Sequence, residues 1–235
     1  MHPITRPSSL KQSVIERLRE SIITGELELG QPLSERVLAE RLNVSKTPVR
    51  EAIAQLRVEG LVLVYPQRGA YVFTPTDADV VEMCELRQAL EAAALKMAIE
   101  RHPDTTAMAL EPIVVRMVRA QQNSDRAEYL KEDSLFHEAF FSSCGNSLMR
   151  QTYDMQVGKI SALRTHLARR PGHTESSFAE HQEILQAVKN RDPARALATL
   201  DTHIGRTRLS YSQAMVRASE RLPLVANLLE AVAKD

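Results

Sequence analysis

At 235 residues, 43% of them hydrophobic, the chain is long enough for two domains with buried cores. Thirty basic and thirty acidic residues cancel, so any contact with nucleic acid must come from a few placed side chains rather than from bulk charge. Two cysteines exclude a disulfide framework, and the absence of a long apolar run or signal-peptide core points to a cytoplasmic protein without a membrane span. Aromatic residues make up only 4%, with no Trp, and abundant Ala, Leu and Arg lean towards helix.

The first predicted helix runs from about Ser9 to Thr24, with Leu10, Val14, Leu18, Ile22 and Ile23 as its buried stripe. Gly25 and Gly30 in "TGELELG" end it. Ser34 caps a second helix that runs through Leu42, "NVS" makes a tight turn, and Ser45 caps a third. Pro48 is tolerated there because it lies in the first turn, and Gly60 ends the helix. "LVLVYPQRGAYVF" then reads as two strands joined by a turn at Pro66 to Gly69.

Helix, helix, turn, helix and a two-stranded wing is the layout of a winged helix-turn-helix, whose third helix enters the major groove. Its start carries Ser45, Lys46, Thr47 and Arg50, two hydroxyls and two cations beside backbone N–H groups that suit phosphate. Arg68, with Gly69 at the wing tip, can reach the minor groove. An ordinary solvated helix carries similar charges; the ordered layout is what favours DNA.

"TPTDAD" follows the wing, with Thr76 or Asp77 as the next cap. Helices are predicted at 77–101, 105–122, 125–143, 146–169, 174–190 and 193–218, with a short one near 222–234. Connections this short imply antiparallel neighbours. The expected fold is mostly α: a winged helix-turn-helix over residues 1–75 and an all-α antiparallel helical bundle over 76–235.

Within the bundle, "LKEDSLFHEAFF" places Leu130, Asp133, Phe136, His137, Phe140 and Cys144 on one helix face, with Lys131, Glu132, Ser134 and Glu138 mostly on the other. A carboxylate on a buried face needs compensation. His181 sits on an apolar face with Phe178, Ile184, Leu185 and Val188, and His203 follows Ala196 and Leu200 on one stripe. Singly, each is a common core histidine. Together, Asp133, His137, His181 and His203 offer one carboxylate and three imidazoles, a set that suits Zn, Ni, Mn or Fe and whose cation would neutralise Asp133. Arg87 lies on the stripe Val80, Met83, Leu90, Ala94, and Arg164 lies with Tyr153, Val157 and Ile160. Each is either a structural ion pair or a cation for an acidic ligand.

"LAERLNVSKTPVREAIAQLRVEGLV" followed by "RGAYV" resembles the DNA-binding domain of GntR-family regulators. The resemblance implies operator contacts by Arg36, Ser45, Lys46, Thr47, Arg50 and Gly69. Lys46 stands where the family usually has Arg; an ammonium does not make Arg's bidentate guanine contact, which leaves contact with phosphate. "DSLFHEAFFSSCGNSLM", "EHQEILQAVKNRDPARAL" and "LDTHIGRTR" resemble the FCD ligand-binding domain of the FadR subfamily. In its metal-binding members an Asp-x3-His and two later histidines hold the ion, which implies Asp133, His137, His181 and His203 here, with zinc the first expectation. Arg87, in "ELRQALE", occupies the family's frequent effector-binding arginine position.

The resemblance implies a dimeric regulator, commonly a repressor, that binds double-stranded operator DNA and senses a small carboxylic acid. Two alternatives stand beside it: a metal-independent regulator of a larger ligand such as an acyl thioester, and a metalloenzyme built on the same four residues. Against the enzyme, no spare inward-facing general base accompanies the set.

Overall fold

The computed structural model describes residues 10–167 and 173–209. These residues form two compact units. The first joins the chain up to Thr74 with Ala120–Ser134 and the segment that begins at Ser147; the second joins Pro75–Arg119, Leu135–Asn146 and the later described residues.

In the first unit, α1 (Leu10–Ile23) buries Val14, Ile15, Leu18 and Ile22. Leu10, expected in that stripe, is 58% exposed at the first turn, and Ile15 takes its place in the core. After β1 (Pro32–Leu33), α2 (Glu35–Leu42) starts at Ser34, whose hydroxyl accepts from the Val37 amide, and stops at Asn43 in the left-handed conformation, φ 52°. The recognition-type helix α3 (Lys46–Val58) begins at Ser45 in extended geometry, and Pro48 sits buried in its first turn. β2 (Val62–Tyr65) and β3 (Gly69–Val72) form the wing, pairing Val62 with Val72 and Tyr65 with Gly69. β1 completes a three-stranded sheet in the order β1-β3-β2, pairing Pro32 with Tyr71. At two residues β1 is too short for alternation to reveal it in the sequence.

The predicted helix over 146–169 is two helices in its described part, α7 (Ser147–Asp154) and α8 (Val157–Leu167). No Pro or capping pattern marks the break at Met155 and Gln156. What the break accomplishes is packing: α8 lies along α1, and Ala162 joins the core of the winged elements. Gly158 makes the approach possible, since a Cβ there would stand 3.1 Å from Leu61 Cδ1.

In the second unit, α4 (Asp77–Arg101) opens with a full capping box between Thr76 and Asp79. α5 (Pro103–Gln122) uses Pro103 as its first residue. α6 (Arg126–Ser143) gives its first half to the first unit and its second half to the second. α9 (His173–Lys189) and α10 (193–209, as far as described) follow. Ion pairs tie the helices at their rims, including Lys189 to Glu111 at 2.6 Å and Arg195 to Glu183 at 3.1 Å. The helix predicted at 222–234, and residues 210–218 of the one before it, lie outside the described residues. No helix among the described residues is long and apolar enough to cross a membrane.

Candidate functional site

Three helices of the second unit each bring one imidazole inward: His137 from α6, His181 from α9 and His203 from α10. All three are buried, and each offers a ring nitrogen within 4.8 Å of the others. Phe136 walls the cluster, its ring centroid 4.5 Å from that of His181. His181 Nε2 lies 3.4 Å from His137 Nε2. That is long for a hydrogen bond between two imidazoles. It matches two ligands of one tetrahedral ion, because nitrogens about 2.0–2.1 Å from a zinc are roughly 3.3–3.4 Å apart.

The far side of the cluster fixes the rings. Glu91 Oε2 lies 2.7 Å from His137 Nδ1, and Glu180 Oε2 lies 2.8 Å from His203 Nδ1. A carboxylate there favours the tautomer protonated at Nδ1 and turns the Nε2 lone pair towards the cluster, the usual support for a metal-ligating histidine. Each carboxylate is held in turn by a guanidinium. Arg87 Nε donates to Glu91 at 2.8 Å, and Arg206 Nε donates to Glu180 at 3.0 Å. The donor set therefore fits a divalent cation.

Glu91 is 0% exposed and escaped the sequence reading, although its signal is there: Val80, Cys84, Arg87, Glu91, Ala94 and Ala98 are spaced alternately by four and three and are all buried. Glu180, next to His181 and only partly buried, gave no such signal.

Asp133 projects from α6 one turn before His137 and belongs to the first unit. Its Oδ2 lies 3.4 Å from Arg164 Nε, with both side chains 7% exposed. A guanidinium thus compensates the buried carboxylate. Arg87, expected on an inward stripe, is 2% exposed and engaged by Glu91. Glu132 corrects the amphipathic reading: placed on the outer face by spacing, it is 1% exposed. Past its first turn, α6 exposes only a narrow strip through Lys131, Leu135 and Ser142, with Ser134 and Glu138 at its edges, and Glu132 lies outside that strip.

The second candidate site is the exposed start of α3. Ser45, Lys46, Thr47 and Arg50 are all exposed, and Ser45 makes no capping hydrogen bond with its hydroxyl. Arg50 is engaged by Glu35, with Nε 3.1 Å from both carboxylate oxygens and Nη2 2.9 Å from Oε2. These bonds hold the Glu35 carboxyl below the ordinary carboxylate range and raise the Arg50 guanidinium. Arg36, on α2, pairs with Glu40 at 2.8 Å. At the wing tip Arg68 is exposed, its carbonyl receiving the Tyr71 hydroxyl at 3.1 Å. Gly69 has φ +93°, the left-handed region that glycine enters without strain.

A winged helix-turn-helix joined to a helical unit defines a class, the DNA-binding regulator. Comparison with known proteins agrees. The profile described as "Bacterial regulatory proteins, gntR family" matches residues 10–72, and that of the FCD domain matches residues 82–206. An uncharacterized HTH-type transcriptional regulator of Streptomyces ambofaciens is 31% identical over 207 residues, covering 83% of this chain and 81% of its own. The repressor RspR of Escherichia coli is 26% identical over 195 residues, covering 83% and 86%. A GntR regulator structure from Rhodococcus sp. RHA1 superposes with a TM-score of 0.77 at 23% identity, covering 88% of this chain and 99% of its own, which supports the fold. The chain belongs to the GntR family: it is a DNA-binding transcriptional regulator with an FCD ligand-binding domain, and not an enzyme.

Proposed function

We propose that this regulator is a homodimeric repressor that senses a small organic acid through a metal centre. His137, His181 and His203 hold the ion, with Asp133 as the carboxylate ligand one helical turn before His137. Zinc suits this set best; nickel, manganese and iron follow. The bound ion would supply a Lewis-acidic position for the effector's carboxylate. Glu91 and Glu180 orient two of the rings, and Arg87 and Arg164 supply cationic charge for the acid. The observation that carries the reading is the convergence of three buried imidazoles with carboxylates set behind two of them.

Arg36, Ser45, Lys46, Thr47, Arg50, Arg68 and Gly69 form the DNA face, and two such faces in a dimer would read a pseudo-palindromic operator. The acid acts by binding the two conformational states of the regulator unequally. Relatives named as repressors support repression.

The Arg164 contact favours a variant of this reading in which three imidazoles alone bind the ion and Asp133 stays paired. Metal analysis of the purified protein separates the two. His181→Ala should abolish stoichiometric metal in both, whereas Asp133→Asn should lower it only if the carboxylate is a ligand. Full metal occupancy in His181→Ala would overturn the proposal.

A further inference from the structure

The geometry points to Arg50 as a guanine-reading residue that Glu35 holds in its reading pose. The inference rests on the DNA face proposed above and adds what Arg50 reads and what positions it. A guanidinium has two usable edges, one formed by Nε and Nη2 and an outer one formed by Nη1 and Nη2. Glu35 occupies the first, through Nε at 3.1 Å and Nη2 at 2.9 Å. The outer fork is left directed away from the carboxylate, and the Arg50 side chain is 70% exposed. Two coplanar donors at that spacing match the O6 and N7 acceptors that guanine shows in the major groove.

Glu35 can serve as a fixed post. It is the first residue of α2, directly behind the Ser34 cap, so its backbone is set by the helix start. Its carboxyl is ionised at neutral pH, as an ordinary carboxyl is, and Arg50 holds it lower still. Lys46, on the preceding turn of α3, has no fork to offer. Glu35 has a further effect on specificity. Its charge repels phosphate, so it weakens indiscriminate binding while holding the residue that discriminates.

The test selects duplexes from a randomised double-stranded library with wild type, Glu35→Ala, Glu35→Gln, Arg50→Ala and Arg50→Lys, and measures binding to the selected and single-base-changed duplexes. The wild type should select a motif with a fixed guanine. Both Glu35 variants should keep the wild-type melting temperature and bind random duplex at least as tightly. Their preference for that guanine should fall about tenfold, as it should in Arg50→Lys. If the Glu35 variants keep the full preference, or lose affinity evenly on all duplexes, Glu35 is not a positioning residue. If Arg50→Ala binds the selected duplex like wild type, the DNA face itself is wrong. A wild-type motif without a fixed guanine also overturns the inference.

Discussion

Single residues set the terms on which this protein holds charge out of water. Arg87 and Glu91 are 2% and 0% exposed, and each depends on the other as partner. Glu91→Gln should therefore cost about 3 kcal/mol or more in denaturant unfolding, because it leaves a buried guanidinium without its anion. It should also weaken metal retention by roughly 10–100-fold, as loss of a supporting carboxylate does. At the surface the balance differs. The Glu59 carboxyl is raised by partial burial, but hydrogen bonds from Arg19 and Gln55 outweigh this and hold it below the ordinary range. A carboxylate depressed in the folded state stabilises above the unfolded value and loses that contribution as pH falls through the folded one. The stability gap between wild type and Glu59→Gln should thus be flat near neutrality and close only in acid below the ordinary carboxylate range. Because the pair is partly solvated, the gap should stay within about 1 kcal/mol.

The residue scale also shows how much of the site the sequence made legible. His137, His181 and His203 lie on faces that periodicity marks as buried, and they meet. Periodicity orders side chains around one helix, however, and does not say which helix lies opposite. Arg164 opposite Asp133, and Glu91 behind His137, are facts of that second kind.

At the scale of elements, the winged helix-turn-helix was readable because its boundaries are marked locally: Ser34 and Ser45 where α2 and α3 start, Asn43 where α2 stops, and the turn before Gly69 between the wing strands. The division of α7 from α8 was not, since it serves packing against α1 and no local capping chemistry announces it. Gly158 is the residue on which that packing depends. A methyl group there would already sit 3.1 Å from Leu61 Cδ1, and Leu61 is 1% exposed in the winged core. Gly158→Val should overpack this contact and cost about 1–3 kcal/mol in thermal or denaturant unfolding, with Gly158→Ala milder. An unchanged melting temperature in Gly158→Val would mean that α8 stands farther from Leu61 than described.

For the whole molecule, two chemistries share one neutral chain. One is a winged DNA-binding unit whose proposed DNA face carries a few exposed cations; the other is a buried imidazole cluster held by Arg–Glu pairs. The central claim, that the cluster is a metal site, is tested most directly by thermal melting of the purified protein. The protein is melted as purified, after exhaustive chelation verified by metal analysis, and after adding back zinc, nickel or manganese, with His181→Ala in parallel. An ion that binds only the folded state raises the midpoint by mass action; an excess of 100-fold over its dissociation constant adds about 2.7 kcal/mol. The account predicts that chelation lowers the wild-type midpoint by several degrees, that one metal restores it, and that His181→Ala responds to neither. A wild-type midpoint that moves with neither chelation nor metal would contradict it.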